Sequence, residues 1–352
     1  MGGTVILTGS GGGVAAAISA ALAEHGLATR HVPFAPDGRP GLEVDARGAR
    51  AVVHLGLRTP RELDEPLRTG AEITAASAAA ALARVAGAAR LVHVSTVAVY
   101  GRPRNLPCRE GELKRPRTAL ERIRWRAEQA SWAAFRRGAP LTVLRPAILY
   151  GPGLRGGPVR VLPLVTLFNA GRRRVPIIRR GPVAHLCHVE DLARAVAHVV
   201  LHPDDAAVIG RAFNVGDDAP LPLAEHLEAA LAALGYETGR VLPTAPRLTS
   251  ALLWLFRHVP DRVLVDRVNR RLAARWGRLA RRSGVDPALA PRVDREALHW
   301  MSADHYYDTT HLAAIGWRPL HPISTAAVAG TIRALVSQRL LPGAGAGALP
   351  AW

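Results

Sequence analysis

The feature that most constrains this chain stands at its start. A short apolar strand, Thr4-Val5-Ile6-Leu7-Thr8, runs straight into Gly9-Ser10-Gly11-Gly12-Gly13-Val14-Ala15 and on into an alanine-rich helix over about Val14 to His25. A glycine at a strand end permits a tight bend. A second lets backbone touch a ligand, and a small residue further on lets helix pack on strand. Gly9, Gly12 and Ala15 fill those places at the spacing of a dinucleotide turn, with Gly11 and Gly13 between them. The N–H groups of the helix N-terminus then face the phosphates. A lone glycine cluster also suits a plain loop; the strand before and the helix after favour the cofactor geometry.

Further strands are predicted near Thr29 to Pro33, at Ala51 to Leu55, Leu91 to Ser95 and Leu141 to Leu144. Helices are predicted over roughly Ala71 to Ala86 and Thr118 to Arg137. Such alternation implies an α/β fold, a parallel sheet with helices on both faces. After Gly151 glycine, proline and arginine become frequent and helices dominate. The expected organisation is a nucleotide-binding domain over 1–180, with later strands and helices returning to it near 185–216. A substrate or lid lobe follows over 217–340, and a frayed tail over 341–352.

Of the 352 residues, 49% are hydrophobic, enough for a sizeable core and too many for a disordered chain. Cys108 and Cys187 are the only cysteines, which excludes a disulfide framework or a multi-cysteine zinc site. They fit a reducing cytoplasm, as does the lack of a signal-like N-terminus or a membrane-length apolar run. The net charge of +18 invites a nucleic-acid or anionic-membrane partner. Yet Lys114 is the sole lysine and every other basic residue is arginine, the mark of a coding preference. No zinc finger, RNA-binding strand motif or aromatic platform accompanies the charge, so nucleic acid is the weaker expectation.

Further segments recur in a known order. They are Asp45; Val52-Val53-His54-Leu55-Gly56; Ser95-Thr96-Val97-Ala98-Val99-Tyr100-Gly101; and Leu144-Arg145-Pro146-Ala147-Ile148-Leu149-Tyr150-Gly151-Pro152-Gly153. Then follow His188-Val189-Glu190-Asp191-Leu192-Ala193 and Phe213-Asn214-Val215-Gly216. Together they resemble the extended short-chain dehydrogenase/reductase family, the NAD-dependent epimerase/dehydratase group, over nearly the whole chain. The resemblance implies a Rossmann-type doubly wound sheet with a smaller, mostly helical C-terminal lobe. It implies NAD or NADP as cofactor, with Asp45 near the adenine and Leu55, Gly56 and Pro146 lining the site. The end of strand two, Val32-Pro33-Phe34, lacks the acidic residue that holds an NAD ribose, while Arg30 or Arg39 suits an NADP phosphate or plain solvent.

The family's chemistry is hydride transfer at a carbinol carbon, which requires a base in hydrogen-bond reach of the hydroxyl. The family uses a tyrosine, a lysine four residues on, and a Ser/Thr on the preceding strand. Thr96 matches the last. With Glu128 as the family's following glutamate, Arg124 registers on the lysine and Leu120 on the tyrosine. Arg124 keeps a cation over the ribose, although a guanidinium does not readily give up a proton. Leu120 carries no proton at all. Glu72 and Ala78 stand where the family has asparagines. Tyr100 and Tyr150, at strand ends, are the replacement candidates, with a packing role as the competing reading. His93, His185, His188, Glu121 and Asp191 are weaker ones, because lone histidines and acids more often serve structure. No metal site is expected.

Ile148 occupies the slot where nucleotide-sugar relatives carry an asparagine. The C-terminal half resembles the 3β-hydroxysteroid dehydrogenase-like branch through Asp304-His305-Tyr306-Tyr307-Asp308 and Gly316-Trp317-Arg318-Pro319. That implies a small hydrophobic substrate of sterol, isoprenoid or polyketide type. Within 248–282, Leu248 to Phe256 is apolar. Arg262 to Arg282 sets Val265, Val268, Leu272, Trp276 and Leu279 on one face of an arginine-rich helix. This segment either lies on an anionic membrane, with Trp276 at the interface, or covers the substrate as a lid. The expected activities are redox or non-redox (cyclisation, dehydration, isomerisation), with a catalytically silent sensor or partner protein as the alternative. A homodimer through the Arg117 to Arg137 helix is a further expectation.

Overall fold

The computed structural model describes residues 3–41, 45–57, 64–155, 157–169, 174–178, 181–242, 265–292 and 303–342. The chain divides into two compact units. The first comprises Met1–Ala147, Cys187–Asp218 and Tyr306–Pro322, and the second Ile148–Leu186, Ala219–His305 and Ile323–Trp352.

The first unit holds a six-stranded parallel sheet. Its strands are β1 (Thr4–Thr8), β2 (Ala28–Val32), β3 (Ala51–His54), β4 (Arg90–Val94), β5 (Leu141–Pro146) and β6 (Arg211–Val215). They lie in the order β2-β1-β3-β4-β5-β6. Every residue of β3, β4 and β5 is buried. That is why apolar side chains dominate both faces of these strands instead of alternating with polar ones, with His54, Arg90, His93, Thr142 and Arg145 as buried polar exceptions. Around the sheet pack α1 (Gly13–Ala23), α2 (Glu65–Ala86), α3 (Ala119–Phe135) and α4 (Val189–Leu201), α1 against α4 and α2 against α3. The sheet is of the doubly wound Rossmann type, but the link from β2 to β3 carries no helix among its described residues.

Helix α2 begins at Glu65, a turn and a half before the alanine run that marks it in the sequence. Asp64 caps it by accepting a bond from Leu67 N at 3.0 Å, and Pro66 fits the first turn. Ala71, Ala75, Ala79, Ala83 and their neighbours form its buried stripe. Helix α3 begins with a full capping box, Thr118 and Glu121 each closing on the other's backbone.

The first unit ends at Ala147, not at 180, because the chain leaves the sheet once Ala147 N has bonded Val215 O at 2.8 Å. It also takes in 306–322, where Tyr307 and Trp317 are buried and Asp308 N donates to Cys108 O at 2.9 Å.

The second unit has its own core. Val159, Leu167, Leu234, Leu289, Ile332 and Leu335 surround Leu272, Trp276 and Leu279 of the helix Val265–Ser283. Trp276 is fully buried, and Arg267, Arg270, Arg271, Arg278, Arg281 and Arg282 face water. The apolar stripe is therefore core, which corrects its reading as a membrane face with Trp276 at the interface or as a lid's inner face. Leu248 to Phe256 lies outside the described residues. Leu340 and Leu341 are buried, so the expected fraying does not start at 341.

Candidate functional site

Strand β1 has β2 on one side and β3 on the other, so the sheet reverses its winding at β1/β3, where ligands settle beyond the strand ends. Two glycine turns meet there. Ser10 N donates to Gly56 O at 2.8 Å, and Gly9 N donates to Val32 O at 3.3 Å. Gly9 has φ +92°, and a Cβ on it would collide with Gly56 O. Only glycine lets the turns after β1 and β3 touch in this way.

Gly12 has φ +99° and ψ −159°, a region open essentially to glycine, and a Cβ there would meet no protein atom within 4 Å. The space before α1 is open. Gly13 begins the helix and Ala15 is buried on its inner side, while Gly11 lies beside the His31 ring. No side chain caps α1, whereas Asp64, Thr118 and His188 cap α2, α3 and α4. Its first-turn N–H groups therefore offer a cradle for an anion. The cradle fits a dinucleotide pyrophosphate.

Leu55, half-buried, donates its N–H to Thr8 O at 3.0 Å. Asp45 is exposed on the loop after β2. Its Oδ1 accepts from Arg47 N at 3.2 Å and its carbonyl accepts from Arg30, so Arg30 is engaged. Arg39 is exposed and pairs with Asp37. Pro146 ends β5 opposite Val215, buried in the sheet.

Arg124 lies against Gly56. Its Nη1 donates to Glu72 Oε1 at 2.9 Å and its Nη2 to Leu57 O at 3.3 Å, while Glu72 Oε2 accepts from Leu57 N at 3.2 Å. Glu72 and Arg124, both read as departures from the family pattern, are thus partners. Leu120 is half-buried in the first turn of α3. Thr96 accepts from Ala98 N at 3.2 Å, which leaves its hydroxyl proton to donate.

The tyrosines do not serve as exposed acids. Tyr100 is buried; its hydroxyl donates to Asn214 Oδ1 at 2.8 Å and accepts from Arg145 Nη1 at 2.7 Å. Burial pushes its hydroxyl well above the usual phenol range, with Arg145 opposing. Tyr100 is thus tied into a buried network, the arrangement its packing reading describes, and its hydroxyl is already engaged at both its donor and an acceptor position. Tyr150 is buried within the second unit.

Arg145 also joins Glu128, with Nη2–Oε1 at 2.6 Å and Nε–Oε2 at 3.1 Å, and both side chains are almost wholly buried. Burial alone would raise Glu128. The charge and bonds of Arg145, with Ser95 and Trp132, outweigh it and hold the carboxyl below its ordinary value.

Beneath the glycine turns, Thr8 Oγ1 meets His54 Nδ1 at 3.0 Å, and Ser131 Oγ meets His93 Nδ1 at 2.8 Å. Burial lowers His54 well below its ordinary value and His93 to about 4, so both are neutral. Of the other weak candidates, Glu121 accepts from Arg117 N and Thr118 N, and Asp191 from Leu320 N. His185 is buried in the second unit, and His188 caps α4. Two residues that sequence reasoning passed over stand out. His321 reaches His188, and Lys114 donates to Glu110 O at 2.6 Å with its ammonium 5.2 Å from the Tyr100 ring centre. Lys114's signal was its uniqueness as a lysine; His321 had none.

The NAD dependent epimerase/dehydratase family model matches residues 42–216. The match spans just under half of the chain. The match begins after the glycine turn, whose assignment rests on geometry. No curated protein matches the sequence. Among solved structures, the Bacillus cereus UDP-glucuronic acid 4-epimerase in complex with NAD is similar at 13% identity, TM-score 0.64, covering 96% of this chain and 100% of that one. The Thermus thermophilus UDP-glucose 4-epimerase complex with NAD has 18% identity, TM-score 0.60, with 95% and 99% covered. An NAD dependent NDP-hexosamine 5,6-dehydratase of tunicamycin biosynthesis has 17% identity, TM-score 0.65, with 96% and 99% covered. At such identities the likeness is one of fold. No helix among the described residues is long and apolar enough to cross a membrane.

Proposed function

We propose that this protein binds NAD or NADP and acts on a small hydrophobic metabolite, as an extended short-chain dehydrogenase/reductase that works without the usual tyrosine. The observation that carries this is the pair of touching turns at Gly9 and Gly56 before the uncapped N-terminus of α1. The Gly9–Gly13 turn would hold the pyrophosphate, and Leu55, Gly56 and Pro146 would line the rest. When bound, the nicotinamide supplies a hydride acceptor or donor.

Arg124, steadied by Glu72, presents a fixed cation beside Gly56 for the ribose. Thr96 donates its hydroxyl proton to a substrate oxygen. Leu120, in the register of the family tyrosine, neither takes nor gives a proton. The chemistry that suits this set is one whose proton moves through water or the substrate, or a non-redox cyclisation, dehydration or isomerisation. The hydrophobic substrate rests on the resemblance to the 3β-hydroxysteroid dehydrogenase-like branch and on Ile148 in the nucleotide-sugar asparagine slot. The second reading, a cofactor sensor without turnover, is favoured by Leu120 and by the engaged hydroxyl of Tyr100. A homodimer through α3 belongs to the same reading, and sedimentation velocity tests it.

Calorimetric titration of the full chain with NAD(H) and NADP(H) tests the proposal. The expected result is binding on the order of micromolar, about −8 kcal/mol. It is lost in Gly12→Asp, whose side chain fills open space and whose backbone conformation costs the fold about 1–3 kcal/mol. Folded protein that binds neither cofactor would overturn the reading. Binding with turnover of a ketone or carbinol panel, enhanced by Leu120→Tyr with Arg124→Lys, favours the enzyme; binding without turnover favours the sensor.

A further inference from the structure

The motif His188-Val189-Glu190-Asp191 opens α4, and the cofactor reading uses none of its side chains. His188 Nδ1 accepts from Glu190 N over a long 3.4 Å, and Glu190 Oε2 lies 3.8 Å from the same nitrogen. From 131 residues away, His321 brings Nε2 to 3.0 Å from that carboxylate oxygen. The two imidazole rings are 3.9 Å apart between centres, tilted by 58°. One donor atom from each of the three residues lies within 4.8 Å of the other two.

A tetrahedral ion with bonds of about 2.0–2.2 Å sets its ligand atoms about 3.3–3.6 Å apart. The observed 3.0 and 3.8 Å bracket that spacing, and on binding the single lone pair of His188 Nδ1 exchanges its long bond from Glu190 N for the ion. His321 is held from below: buried Asp191 accepts from Leu320 N at 2.6 Å and from His321 N at 3.3 Å, and Asp218 N donates to Pro322 O at 3.0 Å. Such outer support fixes a ligand's orientation before the ion arrives. The Glu190 and Asp191 carboxylates offset the positive end of the α4 dipole. Glu190 and His321 side chains are 50% and 27% exposed, which leaves room for water at a fourth position.

We propose that His188, Glu190 and His321 bind one divalent transition-metal ion of the zinc class, clipping residues 320–322 to the start of α4. Two imidazoles and one carboxylate suit such an ion, whereas magnesium and calcium prefer all-oxygen shells. The site is independent of the cofactor reading, and its test uses no nucleotide.

The experiment is titration of chelator-stripped full-length protein with Co2+, followed by absorbance, with Zn2+ as competitor. One equivalent should produce a visible ligand-field band that Zn2+ abolishes, and Zn2+ should raise the melting temperature where Mg2+ does not. His321→Ala and Glu190→Gln alter partly exposed side chains, and His188→Asn keeps a capping oxygen while removing the imidazole. Each removes a direct ligand and should weaken binding by at least the roughly tenfold that loss of an outer-shell partner costs. The chain has 14 histidines, so background binding is expected. A Co2+ spectrum and affinity unchanged across all three variants, or no band in the wild type, overturns the proposal and leaves the trio as a hydrogen-bonded helix cap.

Discussion

Glu72 and Arg124 are an ion pair between α2 and α3, 2.9 Å apart, with Glu72 almost fully buried and a quarter of Arg124 exposed. Each looks anomalous alone; together they balance charge beside the Gly56 turn. Removing one strands the other. Glu72→Ala should cost about 2–4 kcal/mol, and the cycle with Arg124→Leu should show a coupling of about 1–3 kcal/mol. Urea denaturation of the four proteins measures it; additive losses would mean the pair contributes nothing as a pair.

Tyr100→Phe removes the bonds to Asn214 and Arg145 from a buried network. The expected loss is about 1–3 kcal/mol of stability, with NAD(P) affinity and the pH profile of any turnover unchanged. Abolished turnover in a folded variant would restore Tyr100 as a proton carrier.

The pH dependence of stability should carry the mark of His54 and His93. Their folded values lie below the unfolded value, His93 at about 4 against 6.5. Between those pH values the unfolded chain holds more protons, so stability rises as pH rises from about 4 to 6.5 and is then fully present. For His93 the gain is on the order of 3 kcal/mol. Burial raises Glu110 and Asp191, which act in the opposite sense over the acid range. The informative quantity is therefore the difference between wild type and His93→Gln in melting temperature at pH 4.5 and 7, which should shrink at the lower pH.

On the arginine-rich helix, Trp276→Ala should destabilise the second unit by about 3–5 kcal/mol. Arg271→Gln and Arg278→Gln on the solvent face should stay within about 0.5 kcal/mol. Thermal unfolding of the three variants checks the contrast, and a harmless Trp276→Ala would contradict its burial.

The strands were legible because a sheet buried on both faces writes itself as apolar runs: Ala51-Val52-Val53-His54 is read as it folds. The glycine turn was legible because backbone geometry admits no other residue at Gly9. What stayed hidden was partnership across long stretches of chain. Nothing near Arg124 announces Glu72, 52 residues earlier, and nothing near Tyr100 announces Asn214, 114 residues later. Periodicity gave the Val265–Ser283 helix its apolar face but not what covers it. The 306–322 return was missed because it is joined by isolated bridges such as Cys108 to Tyr307.

The crowding of Arg124 onto Gly56 imposes an order on any path through sequence space. A methyl at 56 would strike the guanidinium tip, which is tethered to Glu72 and Leu57 O, at a backbone angle already unkind to side chains. Residue 56 can grow only if residue 124 shortens or its guanidinium swings away from Glu72 and Leu57 O. The two positions are epistatic, and the tolerated substitutions at one are read only by knowing the other.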